Sequence, residues 1–126
     1  MTDTKEMAKD LEVSQKMAKC AYDALQDRLG QDVTILDIHH VSMMADYFLI
    51  ATANNSSQMQ ALVESVQEKL SLSGYDPLHV EGVRDSGWVL LDYGRIIVHI
   101  FTQKAREFYD LEHIWSNSPK VDPDQL

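Results

Sequence analysis

Basic residues are scarce in this chain: eleven Lys and Arg stand against twenty Asp and Glu, a formal charge of −9 over 126 residues. A surface of that sign repels phosphate backbones, which argues against direct, charge-driven binding to nucleic acid; no sequence-specific nucleic-acid contact is expected, and a basic protein partner fits better. Cysteine is nearly absent. The single Cys20 cannot form an internal disulfide, which suits a reducing compartment. No apolar run approaches the roughly eighteen residues of a membrane span, and Thr2-Asp3-Thr4-Lys5-Glu6 is too charged to lead a signal peptide. It also lacks the Arg-rich, acid-poor character of an organelle transit peptide. The composition predicts a soluble, cytoplasmic protein without membrane contact. A chain of this length buries roughly two-thirds of its unfolded surface, so one domain needs neither metal nor disulfide for stability.

The patterns of common catalytic sites are missing too. Metal-assisted phosphoryl or nucleotidyl transfer needs carboxylates converging from neighbouring strands, yet Asp37 and Asp92 are solitary and no Asp-x-Asp pair lies on a predicted strand. Asn54-Asn55-Ser56-Ser57 lies where a strand runs into a helix, a place that can cradle phosphate. It has no glycine and no following lysine, so a simple helix cap is the better reading. His39 and His40 are adjacent, point apart in an extended loop, and lack the i, i+4 spacing of a helical zinc motif. His99 lies inside an apolar strand, where a buried imidazole satisfied by a neighbouring hydroxyl or carbonyl is the ordinary explanation and catalysis the less common one. His79 and His113 have no evident partners, and Cys20 reads as a small helix residue. No cofactor follows from any of these.

What is present is a regular alternation of elements. Residues 1–12 carry charge and only a weak apolar row, and read as an accessory N-terminal segment. Ser14 then caps a helix with Met17, Ala21, Ala24 and Leu25 on one face, closed by Gly30. Val33–Ile38 and Tyr47–Ala53 read as strands. The next helix carries Met59, Leu62, Val63, Val66 and Leu70 at helical spacing and stops at Gly74. His79–Val83 completes a strand–helix–strand crossover, and Arg84-Asp85-Ser86-Gly87 turns the chain into a hairpin. Its strands, Trp88–Asp92 and Ile96–Phe101, flank Tyr93-Gly94-Arg95. Ile96–Phe101 is almost continuously apolar and is expected centrally; Trp88–Asp92 has a wetter side and is expected nearer an edge. Phe108, Leu111 and Trp115 predict a short C-terminal helix, broken near Asp110, and residues 116–126 read as a flexible tail. Trp88 and Tyr93, beside turns, are expected to be exposed. Aromatic residues among Asp92, Asp110 and Glu112 match the make-up of a binding patch for a basic partner.

Several separated segments carry a resemblance. Val80-Glu81-Gly82, Gly87-Trp88-Val89-Leu90-Leu91-Asp92-Tyr93-Gly94, Val98-His99-Ile100-Phe101 and Tyr109-Asp110-Leu111-Glu112-His113-Ile114-Trp115 resemble the ribosomal silencing factor family, related to the plant Iojap protein. Ala45-Asp46-Tyr47-Phe48-Leu49-Ile50 and Asn55-Ser56-Ser57 fit the same family in the same order, so the resemblance spans roughly residues 14–115. It implies a single α/β domain over residues 13–115, a mixed five-stranded sheet flanked by helices, similar to a nucleotidyltransferase without its catalytic carboxylates. It implies a non-enzymatic translational repressor that binds the large ribosomal subunit through its L-type protein fourteen and blocks joining of the small subunit when nutrients are scarce.

By the family motif, Trp88, Asp92, Tyr93, Tyr109 and Glu112 are expected at the partner contact, with Trp88 as anchor. His99 and Asp46 match family motifs and can each serve the fold alone. Arg84-Asp85-Ser86 and Arg95 depart from the family pattern by adding positive charge. An exposed aromatic edge also permits a homodimer. The competing reading is a nucleotide-binding or nucleotidyl-transferring enzyme on a related fold.

Overall fold

The computed structural model describes residues 4–82 and 87–126, with side chains from residue 10 onward. The Arg84-Asp85-Ser86 turn, the last residue of the His79–Val83 strand and most of the accessory segment's side chains lie outside the described residues. The elements run α1 (Thr4–Asp27), β1 (Gln31–Asp37), β2 (Tyr47–Ala53), α2 (Ser56–Leu72), β3 (His79–Glu81), β4 (Trp88–Asp92), β5 (Ile96–Thr102), α3 (Gln103–Tyr109) and α4 (Leu111–Ile114). No described helix is long and apolar enough to cross a membrane.

β2 and β5 are apolar on both sides because both sides are covered: every residue of β2, and every residue of β5 before Thr102, is buried. They pair in parallel from Tyr47↔Ile96 to Ala53↔Thr102 at the centre of a five-stranded sheet ordered β1-β2-β5-β4-β3. β1 joins β2, β4 joins β5 and β3 joins β4, all antiparallel, so the sheet is mixed as expected. The α2 crossover therefore carries the chain from β2 past β5 and β4 to the far edge. β4 is one strand in from that edge.

Side-chain alternation sorts the core into two clusters. On one face Leu49, Ala51, Val89, Leu91, Val98 and Ile100 meet α1 and α2, where Ala18, Ala21 and Ala24 are fully buried and let α1 lie close. Ser65 Oγ donates to the Ala24 carbonyl at 2.9 Å and ties the two helices together. On the other face Leu36, Phe48, Ile50, Ile97 and Phe101 are covered by half-buried Ala105, Leu111 and Trp115 from the short α3–α4 segment. Two long helices thus seal one face, and a helical elbow of about a dozen residues covers the other.

The structure differs from expectation at both ends. α1 is one continuous helix from Thr4, and Ser14 does not cap it. It sits in mid-helix, fully buried, and donates to the Asp46 carboxylate in the β1–β2 loop. Asp10, one turn earlier, accepts from the Arg95 guanidinium through its carbonyl at 3.0 Å and its carboxylate at 3.3 Å. Tertiary partners extend the helix through a stretch whose apolar row is weak. The expected flexible tail is instead ordered against β1: the Asp37 N–H donates to the Pro119 carbonyl and the Val121 N–H to the Ile35 carbonyl, at 2.9 and 2.8 Å. Ser118 is buried, and Val121 and Leu126 pack against the helix-side core. The tail's two prolines do not disturb this, since a strand added at an edge needs only alternate N–H groups facing inward.

Candidate docking site

The site grows from the β4–β5 hairpin. Asp92 Oδ1 accepts the Gly94 N–H at 2.7 Å, and Gly94 takes a left-handed φ of 81°, which closes the turn and sets the register Asp92↔Ile97 to Trp88↔Phe101. Trp88 therefore begins β4 on the elbow side of the sheet, with Leu90, His99 and Phe101. β5 runs straight into α3, whose first turn is capped by Thr102 Oγ1 accepting the Ala105 N–H at 3.2 Å. α3 stops at Asp110, which adopts φ 47°, ψ 53° and redirects the chain into α4. That reversal is the break expected near Asp110. It leaves Tyr109 over Trp88 at a ring separation of 4.6 Å, while Phe101 stacks on Trp88 at 5.1 Å and Trp115 meets Phe48 edge-on at 5.1 Å.

Trp88 and Tyr109, with Leu90, Glu81 and Gly82, line a shallow cavity of about 220 Å³. On the elbow itself Phe108 and Ile114 are exposed by 80% and 67%, too much for residues serving only to seal a core. The elbow's other wall faces a more polar cleft of about 550 Å³, where Asp32, Glu107, Asp110 and Glu112 outnumber Arg106 and Lys120. Apolar and acidic surfaces thus meet along α3–α4.

Arg106 holds this elbow in place, and nothing in the sequence singled it out from its neighbour Lys104. Its guanidinium donates to Glu112 Oε1 at 2.8 Å, the Asp32 carbonyl at 2.7 Å, the buried Thr52 hydroxyl at 2.9 Å and Thr34 Oγ1 at 3.2 Å. One side chain thereby binds α4, β1 and β2.

The expected site residues do not form one patch. Trp88 and Tyr109 are in contact, and Trp88 is half-buried while Tyr109 is exposed. Glu112 lies across the elbow in the acidic cleft with its carboxylate committed to Arg106. Asp92 is at the opposite end of β4, roughly 13 Å along the strand from Trp88, and serves the hairpin turn. Tyr93 was expected to be exposed and is buried, 6% accessible, in the helix-side core. Five positions separate it from Trp88, and strand alternation puts an odd separation on the opposite face. Burial first, then the charges of Asp76 and Cys20, push its phenol up to about 12.

The candidate catalytic features come apart as well. Asp37 and Asp92 lie on β1 and β4, three strand spacings or about 14 Å apart, and point to opposite faces. The N-terminus of α2 is filled by the protein's own groups: Asn55 Oδ1 accepts the Gln58 N–H at 2.8 Å, and Gln58 Oε1 accepts the Asn54 N–H at 2.6 Å. His39 and His40 do not diverge. The segment after Asp37 turns tightly, Val41 N–H to Ile38 carbonyl at 3.0 Å, and their ring centroids lie 3.7 Å apart. Among the described residues, no three His, Cys, Asp or Glu side chains group closely enough to hold a metal ion.

His99 is buried as its strand predicts, but no neighbouring hydroxyl or carbonyl satisfies it among the described residues: Nδ1 meets the Trp88 indole and Nε2 has no partner. His99 is 4% accessible, and desolvation lowers its pKa from 6.5 to about 4. Between about pH 4 and 6.5 the folded chain therefore keeps this ring neutral while the unfolded chain protonates it.

Comparison with known proteins places the chain in a family. A family model described as ribosomal silencing factor during starvation matches residues 11–126. The ribosomal silencing factor RsfS of Bacillus subtilis is 35% identical over 106 residues, covering 84% of this chain and 90% of its own. A crystal structure of a Chromobacterium violaceum protein superposes with a TM-score of 0.78 at 35% identity, covering 81% of this chain and 85% of the other. One from Bacillus halodurans gives 0.76 at 30% identity, with coverages of 86% and 98%.

Two outcomes are expected. Arg106→Ala should destabilise the fold by about 2–3 kcal/mol, because it strands the buried Thr52 hydroxyl and the Glu112 carboxylate. Urea unfolding measures this, and a loss under about 0.5 kcal/mol would reduce Arg106 to a surface ion pair. For His99, stability should be unpenalised above pH 6.5, fall by about 1.4 kcal/mol per unit between pH 6.5 and 4, and level off below that. His99→Leu should remove that slope, and parallel wild-type and variant curves would contradict a buried neutral imidazole.

Proposed function

The chain belongs to the ribosomal silencing factor family, and we propose that it represses translation by binding the large ribosomal subunit through L-type protein fourteen and blocking entry of the small subunit. The observation that carries this reading is the Trp88–Tyr109 pair, held at a cavity mouth on the thinly covered sheet face and bordered by acidic side chains. A large aromatic anchor beside carboxylates fits a basic ribosomal protein, and a net charge of −9 disfavours the surrounding RNA. The names of the family relatives support a ribosomal role, and the large subunit with its L-type protein fourteen follows from the motif resemblance alone. Steric exclusion asks only for occupancy. An interface of about 800 Å² per partner lies within reach of a domain this small.

In this reading Trp88 and Tyr109 make the central contact, and Glu112 contributes charge from across the elbow. Asp92 supports the contact by fixing the hairpin, while Tyr93, sealed in the helix-side core on the opposite face, takes no part in it. The repressor makes and breaks no bond. An enzyme acting on nucleotides is poorly supported, given that Asp37 and Asp92 face opposite ways and that the α2 N-terminus is self-capped.

Co-sedimentation with separated subunits tests this. The protein should pellet with the large subunit and not the small one, and Trp88→Ala, checked for folding, should weaken binding at least about thirtyfold, the roughly 2 kcal/mol of a hot-spot aromatic. Binding to neither subunit, with saturable binding of a nucleotide and divalent metal, would replace this reading with the enzymatic one.

A further inference from the structure

His99 occupies the middle of β5, opposite Leu90 on β4 and Ile50 on β2. Its neighbours are aromatic or aliphatic: Phe48 lies edge-on at 4.8 Å, Phe101 lies parallel at 6.2 Å, and Trp88 is tilted at 5.8 Å. Packing alone would be served there by leucine or phenylalanine. A neutral imidazole does one thing that neither can. Its Nδ1 lies 3.2 Å from the Trp88 indole Nε1. The indole nitrogen can only donate, so Nδ1 must accept and the ring's proton must sit on Nε2. Nε2 is buried with no hydrogen-bond partner among the described residues. The ring thus carries an unsatisfied polar atom in an apolar layer while accepting the proton of one particular side chain.

We infer that His99 is a positioning residue for the docking surface: by accepting the indole N–H it fixes the rotation of Trp88 in the cavity mouth. The inference rests on the reading of Trp88 as the ribosomal anchor. With its polar edge turned inward and its ring packed against both Phe101 and Tyr109, the indole meets a partner already oriented. Orientation held beforehand need not be imposed on binding, so affinity is gained without a direct contact from His99. Protonation is disfavoured by burial, which keeps Nδ1 available as the acceptor.

The test compares wild type, His99→Leu, which removes the acceptor, and His99→Gln, whose amide oxygen can replace it. Three quantities are read: hydrogen exchange of the Trp88 indole by ¹⁵N NMR, urea stability at pH 7, and affinity for purified large subunits. The indole resonance is assigned by its loss in Trp88→Phe. In His99→Leu indole exchange should accelerate at least about tenfold and subunit affinity should fall about fivefold, with the variant still folded. His99→Gln should restore both towards wild type. A merely structural role would make affinity follow stability in both variants and leave the indole signal in place, which would overturn the inference. So would an indole freed in His99→Leu with affinity unchanged, an outcome that leaves the ribosomal reading standing. Failure of the ribosomal reading shows separately, as wild-type protein that does not bind while its indole remains protected.

Discussion

β2 and β5 have no polar side, so each must be covered on two faces, and the rest of the chain is arranged to do this. α1 and α2 cover one face with small alanines and long aliphatics in close contact. The other face receives α3–α4, with Ile38 and Ala45 of the β1–β2 loop beside it, and this elbow is too short to be stable in isolation and depends on its anchors. Arg106 supplies the polar anchor, while Leu111 and Trp115 supply the apolar one. Because this cover is small, its outer surface and the nearby Trp88 remain within reach of a partner. The same asymmetry that completes the core leaves open the surface proposed for docking.

Rigidity is the recurring property of that surface. Asp92 closes the hairpin, Thr102 starts α3 where β5 ends, and Asp110 turns the chain back in the left-handed region. Each is a local backbone device, and together they place Tyr109 over Trp88. Under the proposed action by occupancy such construction is an advantage, since little ordering remains to be done on binding. The far end of the sheet is fastened in a comparable way, with Ser14 on Asp46 and Arg95 on Asp10 joining α1, the β1–β2 loop and the hairpin turn.

What could be read from the sequence was whatever is encoded locally. The apolar run Tyr47–Ala53 has the bounds of β2, Asn55 caps α2, and the spacing of Phe108, Leu111 and Trp115 with the break at Asp110 describes the elbow. The errors arose where a distant partner decides. Ser14 reads as a cap until Asp46, thirty-two residues on, claims its hydroxyl inside a longer helix. The tail reads as unstructured because its pairing with β1 spans more than eighty residues. Arg106 resembles any solvated helix arginine until Thr34, Thr52 and Glu112 surround it. Tyr93 is different in kind. The alternation from Trp88 was already in the sequence, and applying it through the turn would have placed Tyr93 on the buried face.

The central claim is that occupying the large subunit is enough to prevent subunit joining, without chemistry. Light scattering of subunit association tests it most directly, with large subunits first incubated with increasing amounts of the protein. The account predicts that joining falls in proportion to the fraction of large subunits occupied and stops at saturation, with no nucleotide required. Joining at an unchanged rate, with the protein still bound in the assembled particle, would contradict it.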